Sequence, residues 1–192
     1  MKKNLATAVR MTIATTIMLG IIYPLVVTGL ARVLFPAKAN GQLIEANGKV
    51  IGSRIIGQAF SGPGYFHSRP SAVNYDAANS NGSQLGPTNK KLIARVQVDV
   101  ARLHAENATA AVPVDLVTTS ASGLDPDITP AATEFQVHRV ASEREVPEAE
   151  IARLVHDHTE GRTWGLLGEP RVNVLKLNLA LDARFGHIPR EK

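Results

Sequence analysis

Cysteine is absent from the 192-residue sequence, which excludes disulfide scaffolds, thiolate zinc sites, iron–sulfur clusters and cysteine nucleophiles. Aromatic residues are scarce, at 5%. Acidic residues are missing from the whole N-terminal stretch: all 17 lie beyond Phe35, the first being Glu45. The region beyond Phe35 also holds 17 of the 21 basic residues, so the net charge of +4 rests on Lys2, Lys3, Arg10 and Arg32. A neutral, aromatic-poor remainder lacks the basic footprint of a nucleic-acid binder. A second long hydrophobic run is lacking too. Together with the length, this excludes a polytopic pump or channel in this chain alone. There is room for one ordinary domain and something small. With 44% hydrophobic and 20% charged residues, the chain as a whole is not disordered.

What is present begins with an uncharged run of 21 residues from Met11 to Ala31. As a helix rising roughly 1.5 Å per residue, it spans the ~30 Å hydrocarbon core of a bilayer. Gly20 and Pro24 are tolerated inside such a helix, and Pro24 is expected to kink it. A cleaved signal peptide is the competing reading, with Lys2-Lys3 as its basic start and Ala37-Lys38-Ala39 as a small-x-small cleavage site. The run exceeds the usual ~7–15-residue apolar core of a signal peptide, which favours a retained anchor in membrane lipid. Lys2, Lys3 and Arg10 predict a cytoplasmic N-terminus with the bulk of the chain outside. The expected layout is residues 1–10 cytoplasmic, 11–34 transmembrane and 35–192 one α+β extracytoplasmic domain.

Within that domain, residues 37–48 read as a linker or opening turn, and Val50 to Phe60 as a short strand. Residues 71–90 are rich in Ser, Asn, Gly and Pro and form a long loop, of the kind that carries function or docking. A helix follows from Asn89 to about Glu106, with Thr88 as N-cap and Leu92, Val96, Val100 and Leu103 at helical spacing. Val114 to Thr119 reads as a β-branched strand. Thr129 and Pro130 open a helix to about Arg144, and Pro147 opens another that stops at Gly161. Arg171 to Leu177 alternates and then shifts phase, a strand running into a helical turn capped by Asn178. Few strands and three helices make an α+β domain.

Sites that resemble chemistry dissolve on inspection. His156 and His158 stand two apart, on different sides of a helix, with no third ligand nearby. Asp125-x-Asp127-x-Thr129 lacks the glycine and glutamate that a calcium loop needs, and reads as turn and cap residues. Ser80 to Gly86 has no Walker pattern. Ser120 and Ser122 lack a G-x-S-x-G elbow. Tyr65-Phe66-His67-Ser68-Arg69-Pro70-Ser71 is different, because it concentrates aromatics and an arginine just before the polar loop. Tyr65, Phe66, Arg69, Pro70 and Ser71 are candidate docking residues, with core packing as the alternative. No catalytic constellation emerges.

The order of motifs says more than any one of them. Gly52 to Gln58 (GSRIIGQ), Tyr65 to Ala72 (YFHSRPSA), Gly82 to Asn89 (GSQLGPTN), Val112 to Pro126 (VPVDLVTTSASGLDP), Gln136 to Ala141 (QVHRVA) and Arg171 to Asp182 (RVNVLKLNLALD) follow one N-terminal span. In this order they resemble the KdpC family, the C subunits of Kdp-type potassium-transporting P-type ATPases, over nearly the whole chain. Gln84 stands where that pattern leads one to expect Asn. The resemblance implies a bacterial inner-membrane complex that hydrolyses ATP to take up K⁺, with a channel-like potassium-binding A subunit, a P-type ATPase B subunit and a small F subunit. This chain would be the non-catalytic accessory subunit. It has no DKTGT run and no potassium-filter sequence, and a single span cannot supply the carbonyl sets of a filter.

The resemblance implies two roles. One is a catalytic chaperone that raises the ATP affinity of the hydrolysing subunit, with Gln136 as the candidate nucleotide contact. The other is an external domain that stabilises the complex over the potassium entrance. Charge bias puts Gln136 outside, away from cytoplasmic ATP, which favours the second role. No tightly bound cofactor is expected; the resemblance allows ATP only through the complex, without direct contact. Ala14, Thr15 and Gly20 are candidate packing residues for the span. The rival class is a stand-alone membrane-anchored extracytoplasmic binding protein or hydrolase.

Overall fold

Apolar runs in this chain form helices where the spacing is helical, and turns wherever a buried polar side chain needs a fixed direction. The computed structural model describes residues 2–46 and 48–187. The chain divides into two units, Met1–Ile51 and Gly52–Lys192.

The first unit is dominated by the apolar run. Helix α1 (Lys2–Ile17) and helix α2 (Tyr23–Leu34) are joined without a break through a wide π-helical turn, Met18–Ile22. Pro24 explains that turn. It has no N–H, and its ring crowds the carbonyl four residues back. Widening the preceding turn relieves the crowding, and the Tyr23 N–H bonds back to Met18 O. The expected disturbance at Pro24 therefore takes the form of a π turn just before it. Thr12 and Thr15 hide their hydroxyls on the carbonyls of Ala8 (2.9 Å) and Met11 (2.8 Å), as hydroxyls in an apolar helix must. No residue of Lys2–Leu34 is buried. The helix is 33 residues long with mean hydropathy 2.0 over its most apolar window, long enough to span a bilayer. A short helix α3 (Pro36–Ala39) and a two-stranded sheet, β1 (Leu43–Ala46) with β2 (Lys49–Ser53), follow.

The second unit mixes four helices with a small sheet. Helix α4 covers Lys90–Glu106, strand β3 Asp127–Ile128, helix α5 Pro130–Arg144, helix α6 Glu148–Asp157, strand β4 Thr159–Glu160, strand β5 Arg171–Asn173 and helix α7 Val174–Phe185. β5 lies between β3 and β4, antiparallel to both, with Ile128 opposite Val172 and Thr159 opposite the same valine. The core gathers Phe66, Leu116, Ile128, Val140, Ile151, Val172, Leu177 and Leu181. Residues such as Ile151 and Leu181 are wholly buried, each contributing roughly 1.5–3 kcal/mol of hydrophobic stabilisation.

Several elements differ from the sequence expectation, each for a local reason. The strand expected over Val50–Phe60 ends at Ser53, whose Oγ accepts from Ile55 N (3.3 Å) and turns the chain. Gly57 then donates to Leu124 O at 2.7 Å, and a Cβ there would sit 2.5 Å from Asp125 O. The β-branched run Val114–Thr119 opens with a 3-10 turn, Val114–Leu116, because buried Asp115 accepts from Thr129 N (2.8 Å) and Thr129 Oγ1 (3.2 Å). That pair fixes the start of α5, where Thr129 is the N-cap and Pro130 follows it as expected. Asn89 caps α4 in place of Thr88. α6 stops at Asp157, short of Gly161, and the described residues of the second unit form four α-helices where three were expected. Asn173 caps α7, while Asn178 lies inside that helix.

α5 ends at Glu145, an exposed residue in the left-handed region (φ 54°) whose N–H satisfies Ala141 and Ser142 carbonyls. Glycine adopts this conformation without Cβ strain. Glu145→Gly should therefore stabilise the full chain by about 0.5–1 kcal/mol, seen as a higher thermal midpoint in detergent.

Candidate functional site

An extended chain segment passing through a core without a sheet neighbour leaves its peptide groups unpaired, and each such group costs about 1–3 kcal/mol. After a turn closed by Tyr65 N on Gly62 O (3.1 Å), residues 66–69 run in this way, and side chains from α5 and α7 supply the missing partners. Asn178 Oδ1 accepts from Phe66 N at 2.9 Å, and its Nδ2 donates to Phe66 O at 2.9 Å. Gln136 does the same one residue on: Oε1 accepts from His67 N (2.8 Å) and Nε2 donates to His67 O (3.2 Å). Two amide side chains thus stand in for a neighbouring strand, clasping successive residues of a strap.

Arginines complete the arrangement. Arg139 donates to the carbonyls of Pro63 and Tyr65, the latter at 2.9 Å, and to Gln136 Oε1 at 2.6 Å. Its Nε lies 3.4 Å from Glu106, an ion pair without hydrogen-bond geometry. Burial works against the Arg139 charge and pulls its pKa down, and Glu106 opposes that. Arg144, whose side chain is 1% exposed, donates to Gly64 O (2.7 Å), Gly186 O (2.8 Å) and Asp182 Oδ1 (2.8 Å). Its guanidinium also stacks 4.8 Å from the Tyr65 ring. Burial raises the Asp182 pKa, but hydrogen bonds from Arg144, His187 and Tyr65 outweigh it and hold the carboxyl below 3.8.

The structure places the docking candidates along this strap. Tyr65 is half-buried, and its hydroxyl donates to Asp182 Oδ2 at 3.0 Å. Phe66 is wholly buried in the core, so its ring takes the packing role. Arg69 pairs with Asp125 at 2.9 Å, and its carbonyl accepts from the Tyr75 hydroxyl. Pro70 and Ser71 are half-buried. Ser71 Oγ donates to Gly123 O at 2.7 Å and accepts from Tyr75 N at 2.9 Å, tying the long polar loop to the 120–126 loop. Gly123 (φ 68°) is a required glycine, because a Cβ would lie 2.8 Å from Asn81 O. Gln84 has φ 52°, a conformation Asn tolerates better. In the span, Ala14, Thr15 and Gly20 are all exposed.

Gln136 is 2% exposed, and both ends of its amide are engaged by His67, Arg139 and Ala132. Beside it lies a cleft of about 290 Å³ whose wall includes His67, Arg69, Tyr75, Arg102, Glu106 and Gln136. Its charges are paired, Arg102 with Glu106 at 2.7 Å and Arg69 with Asp125. That leaves little free positive charge to meet phosphates. Sequence reasoning missed Arg139, Arg144, Asn178 and Asp182. The one signal for Asn178 was a polar residue inside the apolar stripe LKLNLAL.

Two predictions follow from the strap. Gln136→Leu and Asn178→Leu each leave two buried peptide groups unpaired and should cost about 2–4 kcal/mol in urea unfolding. The double variant should cost less than the sum, since one clasp cannot hold a strap already released. His67 has its pKa pushed below 6.5 by burial first and Arg139 second, partly opposed by the Gly62 carbonyl and Glu106. Its unfolded form takes up a proton that the folded form refuses, so stability should be full above pH 6.5 and fall as the pH drops below it. His67→Gln should flatten that slope in pH-dependent melting.

The chain matches the family model described as "K+-transporting ATPase, c chain" over residues 5–183. It is 63% identical over 184 residues to the potassium-transporting ATPase KdpC subunit of Koribacter versatilis, covering 95% of each chain. The same-named subunit of Rhodopseudomonas palustris (strain BisB18) is 56% identical over 197 residues, covering 95% of this chain and 99% of the relative. That of Acidobacterium capsulatum is 57% identical over 182 residues, covering 93% and 97%. Matched from residue 5 to residue 183 and more than half identical to relatives of the same length, the chain belongs to the KdpC family.

Proposed function

We propose that the chain is the non-catalytic accessory subunit of a potassium-transporting P-type ATPase. One inner-membrane span holds it, with the N-terminus cytoplasmic and the mixed domain outside. The observation that carries this reading is the end-to-end likeness to proteins named as KdpC subunits. The partners are a channel-like A subunit, a P-type B subunit and a small F subunit. The span packs against partner helices through Ala14, Thr15 and Gly20, where small side chains let backbones approach. The domain stabilises the complex over the potassium entrance. Its near neutrality beyond Phe35 suits that place, since a strongly basic cap would repel K⁺.

The geometry around Gln136 supports an indirect effect on ATP. An amide bonded at both ends to the strap has no free valence for a nucleotide. A rise in the ATP affinity of the hydrolysing subunit then passes through the assembled complex. Tagged full-length chain purified in mild detergent should bring down a polytopic partner and a DKTGT-bearing ATPase with K⁺-stimulated hydrolysis. A chain ending before Lys38 should lose transport, and Gly20→Leu should lower the yield of complex. Recovery of the full chain alone, or transport untouched by the truncation, would sink the proposal.

A further inference from the structure

Among the described residues beyond the span, the two most exposed large apolar side chains, Trp164 and Leu166, stand on one turn with Leu167. Thr163 and Leu167 face each other across a tight hairpin, Arg162 to Glu169. Trp164, Leu166 and Leu167 stand out from it, 86%, 80% and 57% exposed. The turn is built rather than slack. Thr163 N donates to Leu167 O (2.8 Å), Leu167 N to Thr163 O (3.0 Å), Leu166 N to Thr163 O (3.2 Å) and Gly165 N to Arg162 O (3.0 Å). Arg162 and Glu169 close its base through two hydrogen bonds of 2.9 and 2.7 Å. Trp164 itself has φ 55°, an uncommon and strained conformation for so bulky a residue. The fold holds it there and turns its indole into solvent.

We propose that this hairpin tip is a second membrane contact, with Trp164, Leu166 and Leu167 seated in the headgroup–acyl boundary of the bilayer that holds the span. Three observations favour lipid as the occupant. Indole with leucines, and no charge from Thr163 to Gly168, is interface-seeking chemistry. Four backbone N–H groups of the tip bond within the turn, so it can leave water without stranding them. A convex tip of three side chains also offers far less than the ~800 Å² per partner of a stable protein interface. The inference needs a retained span and is independent of potassium transport.

Trp164 is the chain's single tryptophan, so indole fluorescence of the unmodified full chain reads this tip alone. The chain is reconstituted into phosphatidylcholine–phosphatidylglycerol vesicles, with and without lipids brominated at known acyl depths. Blue-shifted emission is expected, quenched several-fold and most strongly by the shallow bromines. It should be insensitive to salt, because Glu169 neutralises Arg162. Replacing both Leu166→Ser and Leu167→Ser should reduce the quenching with far-UV dichroism unchanged. Emission of a hydrated indole that bromolipids do not quench overturns the proposal. A blue shift that appears only with added partner subunits, again unquenched by bromolipids, overturns it in favour of a protein contact.

Discussion

The mixed domain depends on one constraint: a stretch of chain is buried without a strand beside it. Phe66 anchors that stretch by filling the core, and burying Phe66 drags its neighbours' peptide groups out of water. Hydrophobic burial favours the passage, and unpaired N–H and C=O groups oppose it with a comparable free energy. The opposition is removed by Gln136 and Asn178, which imitate the edge of a sheet from two different helices. The arginines then become necessary. Arg139 and Arg144 answer carbonyls that the amides cannot reach, and Glu106 and Asp182 answer the arginines. Helices α5 and α7, the strap and the foot of α4 therefore form one polar network inside an apolar core. Removing one member leaves its own partners unpaired.

The apolar N-terminal helix, a candidate membrane span, obeys the same rule. In hydrocarbon no water relieves a lost backbone bond. Pro24 removes one donor, and the π turn before it re-pairs the others by reaching one residue further back. The threonines turn their hydroxyls onto the helix's own carbonyls, leaving methyl groups and small side chains on the surface. A surface of that kind is suited to close helix packing, where polar side chains would otherwise demand partners.

The elements that were legible in the sequence are those set by local chemistry. The span, the Thr129-Pro130 helix start and the periodicity of α4 need only near neighbours to be understood. The misread elements are those set by distant partners. Val114–Thr119 has strand-forming residues, yet Asp115 must reach Thr129 fourteen positions on, and that contact bends the segment into a turn. Asn178 looked like a cap because asparagine prefers caps, whereas its partner is Phe66, 112 residues away. The sequence offers Gln136 as a nucleotide contact and Tyr65–Ser71 as a docking segment, two separate expectations. Nothing in a linear pattern says that the first grips the second. The motifs that carry the family resemblance are, for the most part, the two sides of these long-range contacts.

That convergence bears on how the accessory role is read. A segment such as Tyr65–Ser71 can be sensitive to substitution because it touches a partner or because it holds the domain together. Phe66 and the backbone of His67 belong to the second class, being enclosed by α5 and α7. A lost complex in a strap variant then reports an unfolded domain before it reports a lost interface. The same holds for Gln136: changing it releases His67, so a variant there reports on the integrity of the domain first. Residues that project from the network without serving it, such as the hairpin tip at Trp164 and the small residues of the span, are where contacts with the surroundings can be separated from stability. Their side chains have no role in the core, so the fold alone gives no reason for them to be apolar.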